Sequence, residues 1–198
     1  MDPIAVFPDA TIKTGGVISN HFLERNIKAF LEACRFVHHM PYGYNADRDD
    51  LMSLFAEAMG SCTTKHAVIA TLAEELALAV HKNIGIYPMT EEIVSGTDAI
   101  LEKYKLPYLP MVHCFLVYGP HQVDLTEGND NGKNRPIDKF LHTEKVIPNI
   151  PAKDEYLKYR DALKAKVLKR TEFEGIQIKA VLQAREEGIR LLRNKIGA

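Results

Sequence analysis

The chain predicts an α+β fold, with one central helix packed on an antiparallel sheet and further helices at the C-terminus. Three observations predict it. An apolar pattern of helical period opens at Ser61-Cys62 and runs to about Val80. A β-rich run over residues 111–118 is closed by Gly119-Pro120 and followed by a return run over 122–126. From Lys153 the pattern is helical to the end. Helix first, strands next and helices last is the order of an α+β chain.

The 198 residues suffice for one domain burying roughly 70% of its unfolded surface. The expectation is one domain over 1–198, with a core over about 19–150 and a helical extension over 151–198. Hydrophobic content of 46% and charged content of 26% match a soluble globular chain. A net charge of −1 provides no global field to recruit nucleic acid or a membrane, so neither is expected as a partner. Charge is uneven, however. Residues 153–198 carry 12 Lys/Arg against 7 Asp/Glu, and the rest carries 13 against 19. A basic helical tail docked on an acidic body follows, within one chain or between two copies as a homodimer.

Cysteines at 34, 62 and 114 are an odd, sparse set. Asp2 and Pro3 open the chain and no apolar signal core follows. The expectation is a reducing cytoplasm and free thiols. No run approaches the length of a membrane span.

In order, residues 1–18 read as Pro/Gly-punctuated extended chain. Residues 19–37 read as one amphipathic helix, with Phe22, Leu23, Ile27, Phe30, Leu31, Cys34 and Val37 on its stripe. Cys34 is therefore expected in the core. A turn-rich segment over 40–45 ends that helix, and Asp49/Asp50 cap a short one through Leu51, Leu54, Phe55 and Ala58. Ser61 is a good N-cap residue and places Cys62 in the first turn of the central helix. Ile69, Ala73, Leu76 and Val80 share the face of Cys62; Thr71, Glu74 and Glu75 point away. A short strand over 84–88 follows, then a helix from Thr90 to about Tyr104, interrupted near Ser95-Gly96.

Pro107 and Pro110 force an extended entry into the strand over 111–118. If the hairpin loop is even and Tyr118 faces His121, His113 opposes Thr126 and Asp124 is its diagonal neighbour. Val112, Cys114, Leu116, Tyr118, Val123 and Leu125 then form the apolar face, with Cys114 structural. Residues 127–151 read as a polar loop with one strand near 145–147, and Thr171 with Glu172 and Glu174 as a capping box opening a new helix.

A thiol at a helix N-terminus, a strand histidine and an acid on the next strand are the parts of an activated nucleophile. The helix dipole and an imidazolium favour thiolate, the histidine moves the proton, and the carboxylate fixes the tautomer. A backbone N–H at the helix start supplies one oxyanion donor. The candidate triad is Cys62, His113 and Asp124.

In these motifs, Gly60-Ser61-Cys62, His113-Cys114-Phe115-Leu116-Val117 and Val123-Asp124-Leu125-Thr126, the chain resembles the transglutaminase-like superfamily of papain-like fold. The order Cys, His, Asp is that family's order. The resemblance covers residues 40–126 and leaves the tail aside. It implies a cysteine hydrolase or acyl transferase of bacterial protease type, acting without a cofactor or metal on a peptide, protein or small amide. It also implies a second oxyanion donor upstream of the cysteine, for which Tyr42 and Tyr44 are the candidates; His66, four residues after Cys62, is a pocket candidate. The chain departs from the family in having no Trp and only a faint echo, Asn83-Ile84-Gly85-Ile86, of the segment that follows the helix. The alternative is a metal site of Cys62, His66, His113 and Asp124, or an inactive binding module on the same fold.

Overall fold

The computed structural model describes residues 2–196. Among them are seven α-helices and a four-stranded antiparallel sheet, which makes the protein α+β. In chain order the elements are α1 (Val17–Glu24), α2 (Phe30–His39), α3 (Ser53–Ala56), α4 (Cys62–Glu75), β1 (Val80–Met89) and α5 (Thr97–Tyr104). Then come β2 (Leu109–Tyr118), β3 (His121–Val123), β4 (His142–Val146), α6 (Ala152–Ala162) and α7 (Ile178–Lys195). The strand order is β3-β2-β1-β4. No helix among the described residues is long and apolar enough to cross a membrane.

The chain forms two compact units. The first holds the chain up to Ile84 with Cys114–Asn129 and Lys145–Pro151. The second holds Gly85–His113, Asp130–Glu144 and the chain from Ala152 on.

In the first unit, α1, α2 and α4 share an apolar cluster with Val80, Leu116, Val123 and Leu125. The opening segment contains a 3-10 turn over Pro3–Val6 instead of running extended throughout. The single helix expected over 19–37 is two helices. Asn26 takes a left-handed φ of 59°. Its N–H and that of Ile27 close back on Leu23 O and Phe22 O at 2.9 and 3.0 Å, a Schellman stop. The freed chain pairs with an earlier stretch, Ile12 N–H to Lys28 O and Phe30 N–H to Ala10 O, both 2.8 Å. The apolar stripe survives the break, since Ile18, Phe22, Phe30, Ala33, Cys34 and Val37 are all buried. Glu75 caps α1 from a distance, its carboxylate accepting the N–H groups of Ile18 and Ser19 at 3.0 and 2.6 Å. Gly16 leaves the room for it: a Cβ there would meet Glu75 Cδ at 2.0 Å.

Helix α4 begins at Cys62 as the capping pattern predicts, but it does not reach Val80. Ala77 adopts a φ of 53°, and Ala77 and Leu78 N–H bond to Glu74 O and Ala73 O at 3.0 and 2.8 Å. This is a second Schellman stop, and Val80 starts β1, which is also twice the length of the strand expected over 84–88. The β2–β3 hairpin meets the condition of an even loop, with Tyr118 opposite His121, Val117 opposite Gln122 and Leu116 opposite Val123. The return strand stops at Val123 rather than Thr126, so the expected His113–Thr126 pair does not form. Asp124 Oδ1 accepts both the N–H and the Oγ1–H of Thr126, at 2.8 and 2.7 Å, and this local turn ends the ladder.

In the second unit, Ile86, Met89, Leu109 and Met111 pack with Leu163, Val181 and Leu192 of the C-terminal segment. The tail's apolar residues Leu163, Val167, Val181 and Leu192 are buried within their own unit; Ile176, Leu182 and Ile189 pack against the same cluster. The tail is not one helix. α6 runs into a π-helical turn over Leu163–Val167. Thr171 opens only a 3-10 turn, Thr171–Phe173, because Gly175 turns the chain at a φ of 78° before α7 starts. The strand expected near 145–147 is β4, three residues earlier at its start. α7 lies close to its neighbours at Gly188, where a Cβ would meet Leu109 Cδ2 at 2.6 Å.

Candidate active site

The site is built on the start of α4. Gly60 has no side chain because none fits: a Cβ would meet Leu54 Cδ1 at 2.3 Å and Thr64 Oγ1 at 2.7 Å. Ser61 is the N-cap by position, but its side chain makes no capping hydrogen bond. Its own cap therefore does not occupy the first-turn N–H groups. Cys62 is the first helical residue and half-buried, whereas Cys34 and Cys114 are buried. Burial pushes the Cys34 thiol well above its ordinary range, leaving it inert at neutral pH.

The segment over 40–45 runs beside this turn. Tyr42 and Gly60 form a parallel bridge, with Gly60 N–H to Pro41 O at 3.1 Å and Gly43 N–H to Gly60 O at 3.3 Å. Tyr42 is thus held by its backbone two residues from Cys62, and the Tyr44 ring stands edge-on to it at 6.1 Å. Asn45 ties the whole turn together. Its Nδ2 donates to Met59 O at 2.9 Å and to Ser53 O at 3.3 Å, and its Oδ1 accepts from Thr64 Oγ1 at 2.8 Å.

Two further residues on the first turns of α4 are fully buried and polar. His66 is 0% exposed. Its Nδ1 lies 2.6 Å from Cys62 O, and its Nε2 accepts the N–H of Leu125 at 2.8 Å. A carbonyl only accepts, so Nδ1 carries the proton and Nε2 presents its lone pair. The 3.5 Å approach of Nε2 to Asp124 Oδ1 is then not an ion pair. Both ring nitrogens serve backbone groups, which does not suit a metal ligand. Among the described residues no group of three or more His, Cys, Asp or Glu is placed to hold a metal ion.

Lys65 is also 0% exposed. Its Nζ donates to His38 O at 3.2 Å, to Met40 O, and to Asn129 Oδ1 at 2.6 Å. Burial lowers its pKa to about 8, against an opposing pull from Asp124. Lys82, on β1 and 1% exposed, donates to Thr63 O at 3.1 Å and Pro148 O at 3.0 Å. His38 Nδ1 donates to Leu125 O at 3.1 Å. The turn carrying Asp124 is therefore gripped at Leu125 N–H, Leu125 O and Asn129.

Of the residues singled out in the sequence, the first unit brings together Cys62, His66, Asp124 and the backbone of Tyr42. His113 belongs to the second unit, buried and edge-on to Tyr87 at 6.3 Å. Cys114, the next residue along β2, belongs to the first unit, where its Sγ lies 3.7 Å from Thr63 Oγ1. Asn45, Lys65, Lys82 and His38 were not visible as site residues. The one available signal was a lysine and a histidine immediately before the apolar stretch over residues 67–70 of the helix.

No protein-family model, curated protein or solved structure significantly matches this chain, and the transglutaminase-like resemblance rests on the motif residues alone.

Proposed function

We propose that the protein is a cysteine-dependent amide hydrolase or acyl transferase with a papain-like, transglutaminase-like core. Cys62 is the nucleophile, His113 the general base and acid, and Asp124 the group that orients the imidazole. The Cys62 thiolate attacks the amide carbonyl carbon. His113 delivers the thiol's proton to the departing amine, leaving a thioester on Cys62. Water or a second amine, deprotonated by His113, then releases the acyl group and restores the thiol. The first-turn N–H groups of α4 are the natural donors to the oxyanion, with Tyr42 or Tyr44 as the second donor. The substrate class is a peptide, a protein or a small amide.

The observation that carries this reading is the place of Cys62. It is the one thiol of three that is not buried, and it opens a 14-residue helix, whose dipole favours thiolate there. The carboxylate of Asp124 adds support, because two bonds from Thr126 fix its orientation.

The test is the iodoacetamide reactivity of Cys62 from pH 4 to 9 in wild type and His113→Ala. A thiolate paired with an imidazolium reacts well below the free-thiol pKa of about 8.5, and the substitution removes that reactivity. A thiol that titrates like a free one in both proteins overturns the reading.

A further inference from the structure

We propose that His66 is a positioning residue, coupling the backbone of the nucleophile's turn to the turn that carries the acid. The inference rests on the triad reading above and adds a residue to it. His66 Nδ1–H holds Cys62 O at 2.6 Å, and His66 Nε2 holds Leu125 N–H at 2.8 Å. One imidazole thus spans from the peptide of Cys62 to the residue following Asp124, and its ring is fully buried. A helix i,i+4 partner would ordinarily leave the Cys62 carbonyl to a backbone N–H alone; here the side chain takes it as well. Only a group that donates at one point and accepts at another, across the width of an imidazole, satisfies both turns. A neutral histidine does so in a single tautomer.

Neighbouring contacts secure the same turn. His38 Nδ1 donates to Leu125 O at 3.1 Å and Lys65 Nζ to Asn129 Oδ1 at 2.6 Å. Asp124 Oδ1, 3.5 Å from His66 Nε2, accepts two hydrogen bonds from Thr126. With His66 in place, Leu125 cannot shift without breaking a buried bond, and the carboxylate next to it is held where the turn puts it.

The experiment is the pH profile of Cys62 alkylation in wild type, His66→Asn, Asp124→Asn and the double variant, with melting temperature recorded for each. Asn retains a donor near the Nδ1 position and loses the acceptor for Leu125. The expected result is an alkylation midpoint raised by about 1 pH unit in His66→Asn, a roughly tenfold slower reaction below the midpoint, and no further shift in the double variant beyond Asp124→Asn. A depressed wild-type midpoint that Asp124→Asn moves and His66→Asn leaves in place overturns the role of His66 alone; so does a fully additive double variant. A wild-type thiol that titrates as a free one overturns the triad and this role with it. If His66→Asn does not fold, histidine-ring nitrogen NMR of the wild type decides. A neutral Nδ1–H ring from pH 5 to 8 supports the assignment, and protonation of Nε2 in that range overturns it.

Discussion

The two units bury different chemistry. The first encloses Lys65, Lys82 and His66 together with Ser19, Ser53, Ser61, Thr64 and Thr126. The second buries Ile86, Met89, Leu109, Met111, Leu163 and Val181 against one another; its buried polar side chains are Thr97, His113, Asn131 and Glu155, and no lysine or arginine is among them in the described residues. Burying an ammonium is unfavourable unless every proton finds an acceptor. The first unit supplies such acceptors: His38 O, Met40 O and Asn129 Oδ1 for Lys65, and Thr63 O and Pro148 O for Lys82. Such groups are a poor way to gain stability and a good way to hold loops in one place. They surround the start of α4, where the candidate nucleophile stands. The difference teaches that both units have an apolar core, but among the described residues buried lysines occur in the first alone, where backbone carbonyls converge on them around the start of α4.

The sharpest way to break that comparison is to truncate an apolar residue in the second unit. Leu163→Ala, at a fully buried site, is expected to destabilise the protein by about 2–5 kcal/mol. Denaturant unfolding measures this, and the pH profile of Cys62 alkylation should stay unchanged. A shift in that profile would mean that the two roles are not separable.

Gly60→Ala comes next. The added methyl meets Leu54 Cδ1 at 2.3 Å and Thr64 Oγ1 at 2.7 Å, and overpacking of this kind costs about 1–3 kcal/mol. Here both stability and thiol reactivity should fall, because the turn that presents Cys62 must move. Unfolding and alkylation rates on one sample check both.

Lys65 supplies a pH test. Its folded pKa of about 8 lies below the ordinary 10.5, so the folded protein holds fewer protons on it than the unfolded chain does between those values. The penalty of the buried charge is fully present below pH 8 and fades as pH rises toward 10.5. Stability from this group therefore increases with pH in that window, with a slope of at most about 1.4 kcal/mol per pH unit. The wild-type minus Lys65→Met difference in unfolding free energy, followed from pH 7 to 10.5, reads it; a flat difference would sink the prediction.

The smallest effect is expected at Tyr159, whose buried O–H donates to Pro110 O at 2.8 Å. Tyr159→Phe removes one neutral bond and should lower stability by about 0.5–1.5 kcal/mol, with no change in thiol reactivity.

Several features were legible because they are local. Gly119-Pro120 marked the hairpin turn; the register supposed across it, Tyr118 opposite His121, holds for three residue pairs and stops at Val123. Ser61 marked the start of α4, and the tail's apolar residues marked a buried face. The break at Asn26 was readable in principle, since asparagine tolerates the left-handed C′ position. The stop at Ala77 was not. Alanine rarely takes that conformation, and nothing in the pattern distinguished Val80 as a strand residue from Val80 as a helical one.

By itself the sequence determined the α+β class, the first residue of the central helix and the strand over 111–118 closed at Gly119-Pro120. Period, capping and turn chemistry act over a few residues, and so each can be read from them. The tertiary structure alone decided that Glu75 caps α1 and that Asp124 closes a turn instead of extending a strand. It also decided that Lys65 and His66 face inward, to acceptors and donors 25 to 64 residues away along the chain. A buried polar side chain is tolerated only where distant backbone groups converge to satisfy it, and that convergence exists only in the folded chain.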